Sequence, residues 1–178
     1  PIKRPVQTDL YESLVNSIVG QQISTAAHRT IWKRMTDYYG TVTPEKICST
    51  PPEDLQKFGI SFRKAEYIMD NSRKVLSGDL KIEALHDMSD KEVVQELSAL
   101  KGIGVWTAEM LMIFCMQRPN IVSYGDLAIL RGLRMLYRHR KIDRKLFDKY
   151  CRRYAPYGSV ASLYLWAIAG GAIPELKD

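Results

Sequence analysis

Apolar residues recur at helical spacing along almost the whole chain, and no segment alternates apolar and polar side chains as a half-buried strand does. Leu10, Leu14, Val15 and Ile18 share one helical face and predict a first helix over about 9–19. A second is expected over about 22–39, with Ile23, Ala26, Ala27, Ile31 and Met35 facing inward. Short elements should follow Pro44 and Pro51-Pro52, because proline fits the first helical turn. Residues 62–77 read as a longer helix stopped by Ser77-Gly78. Ser89-Asp90-Lys91-Glu92 is a capping-box pattern and opens a helix over about 90–99. Further helices are expected over about 105–116, 126–137, 143–154 and 159–169. The fold class is therefore all-α, with about nine or ten short helices.

Composition narrows the function classes. The 178 residues suit one domain or two closely packed lobes, and 46% hydrophobic residues are enough for a real core. There is no run of about 18 apolar residues to span a membrane. Pro-Ile-Lys-Arg-Pro-Val-Gln at the start lacks the apolar stretch of a signal peptide. The formal charge of +6 fits a polyanionic partner without requiring one. Cys48, Cys115 and Cys151 lie far apart, match no zinc spacing, and suit a reducing, intracellular compartment.

Lys101-Gly102-Ile103-Gly104 interrupts the pattern between two helices. Two glycines two apart allow a tight turn and the close approach of another backbone. The turn delivers its amides to the start of the next helix, whose unsatisfied N–H groups and partial positive charge suit a phosphate. Lys101 adds a cation there, and Thr107 a hydroxyl. A Gly-x-Gly between helices also serves as a plain helix corner, so the glycines alone leave both readings open.

Asp126 follows Ser123-Tyr124-Gly125 where a helix should begin. Aspartate is a strong N-cap, and a capping carboxylate is held rigidly enough to do chemistry as well. Cleaving an N-glycosidic bond builds positive charge on the sugar, which a fixed carboxylate in a low-dielectric site stabilises. Such a group also orients or deprotonates the attacking water. His28, His86 and His139 are scattered and expected to face solvent, which leaves no obvious catalytic histidine. Arg63 and Lys64 start a helix and are candidates for phosphate contact. Arg131, Arg134, Arg138, His139, Arg140 and Lys141 gather at one helix end, where cations suit the dipole or would meet DNA.

Several of these segments together resemble one family. Leu-Lys-Gly-Ile-Gly-Val-Trp-Thr-Ala over 100–108, then Ser-Tyr-Gly-Asp over 123–126, resembles the helix–hairpin–helix DNA glycosylase superfamily, in particular its alkylation-repair branch of the 3-methyladenine DNA glycosylase II type. Ser-Ile-Val-Gly-Gln-Gln-Ile-Ser over 17–24, Phe-Arg-Lys-Ala-Glu over 62–66 and Tyr-Ala-Pro-Tyr-Gly-Ser over 154–159 are similar to the same family, in the same order.

The resemblance implies a two-lobed fold with a cleft between the lobes. A central lobe of about 25–125 would carry the hairpin at 98–107, and the N-terminal helix with about 126–178 would form the second lobe. It implies that Asp126 is the essential aspartate and that Trp106 and Tyr157 line the base pocket. Met110 and Leu127 fall on pocket positions that are aromatic in that branch. Trp106 also stands where bifunctional relatives carry a nucleophilic lysine, so a monofunctional enzyme without lyase activity is expected. Gln22 falls on the residue wedged into the duplex, and Lys101, Gly102, Gly104 and Thr107 on the phosphate-binding hairpin. The main-chain carbonyls of Ser98, Leu100 and Ile103 would hold a monovalent cation, K+ or Na+, with no other cofactor required. A related branch carries a four-cysteine iron–sulfur loop near its C-terminus, and here only Cys151 lies beyond residue 120. The implied partner is double-stranded DNA containing damaged bases, bound by a monomer with no membrane involved.

The target base must leave the stack to be cut. Alkylated purines such as 3-methyladenine and 7-methylguanine are cationic and attract an electron-rich aromatic face. Trp106, Tyr124, Tyr157 and Trp166 are the candidate faces, although Trp166 sits in an apolar helix suited to core packing. A cationic base is also a good leaving group, so an aspartate alone suffices. Two alternatives fit the same residues: a glycosylase for deaminated or ethenoadenine bases, or a non-enzymatic DNA-binding module in which Asp126 is only a cap.

Overall fold

The computed structural model describes residues 9–176 and Asp178; the expectation for the segment 1–7 falls outside the described residues. Among the described residues there are ten α-helices, one 3-10 turn at Glu83–Asp87 and no strand. The helices are α1 (Leu10–Gly20), α2 (Thr25–Tyr39), α3 (Pro44–Cys48), α4 (Pro52–Lys57), α5 (Phe62–Ser77), α6 (Asp90–Ser98), α7 (Val105–Phe114), α8 (Leu127–Tyr137), α9 (Arg144–Tyr154) and α10 (Gly158–Ala169). No helix among the described residues is long and apolar enough to cross a membrane.

Caps set most of these boundaries. The Ser61 hydroxyl accepts from the Lys64 amide to start α5, and Gly78 ends it in the left-handed conformation at φ +80°. The Ser89–Glu92 capping box forms in full at the start of α6. The second helix begins at Thr25 rather than near 22, because Gln22 is left-handed at φ +55° and Ser24 is the N-cap. Its inner face is Ile31, Met35 and Tyr39, whereas Ile23 and Ala26 are exposed.

The chain divides into two compact units, one reaching to Leu111 and the other running from Met112 to Asp178, and α7 crosses the division. In the first unit α5 is the hub: α1, α3 and α4 pack on it, and α1 also packs on α2. A 2.6 Å hydrogen bond between Tyr11 Oη and Ser72 Oγ joins α1 to α5. This corrects the expected grouping of the N-terminal helix with residues 126–178. An apolar stripe identifies a buried face without naming the face it meets, and α1 is buried on Leu10, Tyr11, Leu14, Val15, Ile18 and Val19.

In the second unit Ile129, Leu133, Ile142, Phe147, Tyr150 and Leu165 form the core. Helices α8 and α10 cross so closely that a Cβ on Gly132 would collide with the Leu165 carbonyl oxygen. Tyr137 and Tyr150 stack with centroids 4.0 Å apart, and His139 Nε2 lies 2.6 Å from Tyr150 Oη. His139 and His28 are thus half-buried rather than solvent-facing, the latter with Nε2 2.6 Å from Asn16 Oδ1. Of the basic cluster, Arg134 Nε donates to the Asp178 carboxylate at 2.7 Å and Arg131 lies 3.4 Å from it.

Candidate active site

The hairpin stands between α6 and α7. Buried Leu100 and Ile103 anchor it, and the Ile103 amide donates to the Leu100 carbonyl at 3.1 Å. Gly102 is left-handed at φ +81°, and a Cβ there would lie 2.6 Å from the Tyr67 ring, so glycine is required twice over. Gly104 has nothing within 4 Å of where its Cβ would be, so its flank is open to an outside partner. Lys101 is exposed and lies 3.4 Å from the Asp70 carboxylate.

Polar side chains hold this turn from behind. Asn71 Nδ2 donates to the Lys101 carbonyl at 3.0 Å, and Gln21 Nε2 donates to the Gly102 carbonyl at 2.6 Å. Neither residue stood out in the sequence, because nothing local marks a bond to a carbonyl 30 or 81 residues away.

Two of the expected phosphate contacts are corrected here. Lys64 Nζ donates to the Val19 and Gln21 carbonyls at 2.8 and 2.6 Å, closing the C-terminal end of α1, and burial lowers its pKa below the usual lysine value. Thr107 is buried, since it lies on the inner face of α7 with Ala108, so its hydroxyl is not presented outward. Arg63 is exposed; its Nε donates to Tyr67 Oη at 2.6 Å, with the guanidinium 5.5 Å from that ring. Gln22 is exposed in its left-handed conformation.

Asp126 belongs to the second unit and is the N-cap of α8. Its Oδ1 accepts from the Ala128 amide at 2.9 Å and the Ile129 amide at 3.0 Å, and the residue is 7% exposed. The segment leading to it is strapped to the start of α10. Ser159 Oγ accepts from the Ile121 amide at 3.0 Å and donates to the Arg118 carbonyl at 2.5 Å; Ser162 Oγ donates to the Ile121 carbonyl at 3.0 Å. The Gly158 amide donates to Asn120 Oδ1 at 3.2 Å, and a Cβ on Gly158 would lie 2.8 Å from that oxygen. These positioning residues were missed, although Gly158-Ser159 with Ser162 a turn later is a visible signal of close approach on one helix face.

The candidate pocket residues fall into two groups. In the first unit Trp106 is half exposed on the first turn of α7, with Met110 half-buried one turn on. In the second, Leu127 is 81% exposed and Tyr157 67% exposed, at the starts of α8 and α10. Tyr124 does not join them as an open face. Its ring meets Phe147 edge-on at 5.0 Å and carries the Arg144 guanidinium 5.2 Å from its centroid. Trp166 stacks on Phe114 with centroids 5.6 Å apart, in keeping with helix packing.

A family profile described as HhH-GPD superfamily base excision DNA repair protein matches residues 15–156. The chain belongs to the HhH-GPD superfamily. A DNA-3-methyladenine glycosidase structure from Bacillus halodurans superposes with a TM-score of 0.90 at 38% identity, covering 98% of this chain and 82% of that one. A Schizosaccharomyces pombe 3-methyladenine DNA glycosylase, solved in complex with abasic DNA, gives 0.79 at 30% identity, covering 100% and 88%. DNA-3-methyladenine glycosylase 1 of the same yeast is 32% identical over 88% of this chain and 71% of its own length. Against a Bacillus subtilis relative, 30% identical over 88% of this chain, the chain spans 58% of the relative's length. Within the HhH-GPD frame, the profile takes in Gln22, the hairpin and Asp126, whereas Tyr157 and the serines of α10 lie beyond it.

Proposed function

We propose that this chain is a monofunctional DNA glycosylase that excises alkylated, cationic purines such as 3-methyladenine and 7-methylguanine from duplex DNA in base excision repair. The observation that carries this reading is Asp126: a carboxylate 7% exposed to water, fixed by two amides at the start of α8. The names of the similar glycosylases support the substrate class.

The chemistry follows from the charge. The bond between C1′ and the base nitrogen breaks, and its electron pair leaves with the base, which is neutralised as it departs. The sugar becomes oxocarbenium-like, and the Asp126 carboxylate stabilises that charge. Water then bonds to C1′, and its proton passes to Asp126 and on to solvent. The two cap amides hold Oδ1 and so fix the orientation of the whole carboxylate. No general acid is needed when the leaving base is already cationic.

Trp106 and Tyr157 are the proposed aromatic faces for the extruded base, with Met110 and Leu127 shaping the pocket. Trp106 offers no amine for a Schiff base, which is why lyase activity is not proposed. The hairpin at Lys101, Gly102 and Gly104 takes a DNA phosphate, with Arg63 near the backbone and Gln22 filling the space of the flipped base. The bond between Ile103 and Leu100 brings two of the three carbonyls named for a monovalent cation into one turn, and such hard oxygens suit K+ or Na+. Ser98, Leu100 and Ile103 would hold that cation as a structural support of the hairpin.

The test is incubation of the protein with duplexes carrying 3-methyladenine, 7-methylguanine, hypoxanthine, uracil and 1,N6-ethenoadenine, with released bases resolved by chromatography. Release of the methylated purines as free bases, with the strand left unbroken, is expected. Binding without release of any base would sink the enzymatic reading.

A further inference from the structure

Three stretches of the first unit that are distant in sequence are bonded to one another. Gln21 reaches from the α1–α2 junction to the Gly102 carbonyl at 2.6 Å. Lys64, on the first turn of α5, donates to the Val19 and Gln21 carbonyls at 2.8 and 2.6 Å. Asn71, farther along α5, donates to the Lys101 carbonyl at 3.0 Å, and Gly102 rests against the Tyr67 ring. The α1–α2 junction, α5 and the hairpin are thus one braced assembly. Where α1 packs on α5, Leu14, Ile18 and Ile68 are fully buried and Tyr11 bonds Ser72, whereas Gln21, Lys64 and Asn71 reach carbonyls at the end of α1, in the junction and in the hairpin.

Gln22 sits inside this assembly. It is exposed and left-handed at φ +55°, a conformation that a non-glycine residue keeps only when its surroundings over-determine it. Its preceding carbonyl is held by Lys64, and its preceding side chain by the hairpin.

We propose that Gln21 and Lys64 are positioning residues that fix the Gln22 side chain relative to the phosphate-binding turn, so that gripping the duplex backbone and filling the space of an extruded base occur as one event. This rests on the glycosylase reading above. The hairpin amides and Lys101 bind phosphate whether or not a base has left the stack, so they contribute to every complex alike. Gln22 contributes only when a base is out. With Gln21 or Lys64 cut, Asn71 and the Tyr67 ring still hold the hairpin while Gln22 is released, so the loss falls mainly on the flipped state and the step that follows it.

Gln21→Met and Lys64→Met remove the donors at nearly constant volume, and Lys64→Arg keeps donors within reach of both carbonyls. Three readouts are needed: affinity for undamaged duplex, single-turnover release from a 7-methylguanine duplex, and fluorescence of 2-aminopurine beside an abasic analogue, which rises when stacking is lost. Both Met variants should bind undamaged duplex within about twofold of the parent while releasing base about tenfold more slowly, with a smaller aminopurine rise. Lys64→Arg should restore rate and fluorescence. Combining Gln21→Met with Gln22→Ala should add nothing to the loss caused by Gln22→Ala alone. Met variants with the full fluorescence rise would overturn the proposal. So would equal losses in affinity and rate that follow the thermal midpoint, the mark of a merely structural role. Absence of base release from the parent protein would overturn only the glycosylase reading, because the abasic duplex reports on the brace without any bond being broken.

Discussion

The hairpin and Asp126 both sit at the start of a helix, yet they are held in opposite ways. The hairpin is held from behind by side chains of other helices, Gln21 and Asn71, and its Gly104 flank is open. Asp126 is held by amides of its own helix, is nearly closed to water, and is reached through a segment strapped by serines of α10. If the hairpin grips duplex DNA as proposed, it must remain accessible to a large partner, which fits support from the protein side. For the charge-stabilising role proposed for Asp126, a carboxylate works best where water is scarce, which fits support built into the backbone around it.

The largest expected effect falls on the closed site. Asp126→Asn should slow base release by about 10²–10³-fold, a loss typical of one electrostatic stabiliser. Asparagine caps as well as aspartate, so the thermal midpoint should barely move; an undiminished rate would take the chemistry away from Asp126.

Adding one methyl group separates the two regions next. Gly132→Ala should destabilise the unit carrying Asp126 by about 1–3 kcal/mol in urea denaturation, because the new Cβ meets the Leu165 carbonyl. Gly104→Ala, with open space around it, should leave stability alone and weaken duplex binding about tenfold, roughly one charge-assisted phosphate contact. The reverse pattern would break the comparison.

A smaller effect should follow at Lys101. Replacing it with alanine should lower the slope of log affinity against log salt by about 0.9, the share of one phosphate, with no change in the rate at saturating DNA. An unchanged slope would remove Lys101 from the interface.

The smallest effect concerns the helix leading into the hairpin. The Glu92 carboxyl is held below its usual pKa, first by the Ser89 hydroxyl and then by the Ser89 amide. A depressed folded-state value means that this stability is fully present above the unfolded value, neutral pH included, and is lost as pH falls through the folded value. Glu92→Gln should flatten that acid limb in thermal melts at successive pH values, and an unchanged limb would show that the box does not govern it.

Helix positions were legible in the sequence wherever a cap and a period agreed. Helix α5 runs over Phe62–Ser77 as expected, and α6 opens at the capping box. Asp126 was recognisable as a cap from its neighbours, and its place in a family came from motifs in order rather than from the residue. What escaped were bonds between distant segments. Lys64 at a helix start invites a phosphate contact, but its ammonium finds carbonyls 43 and 45 residues away. Tyr124 beside Asp126 invites a pocket role, but its ring meets Phe147 and Arg144, 23 and 20 residues on. Local pattern records which face of a helix is apolar, and it carries no record of which loop a long polar side chain will reach.

The crossing at Gly132 has a further consequence. At Gly132, α8 and α10 approach so closely that not even one methyl group fits between them. The residues at their leading ends, Leu127 and Tyr157, are therefore carried on two closely packed helices. If Leu127 and Tyr157 line the base pocket as proposed, substrate range would change by exchanging side chains at these positions rather than by moving the backbone beneath them. Attempts to retune it should begin with libraries at 127 and 157 and leave 132 untouched.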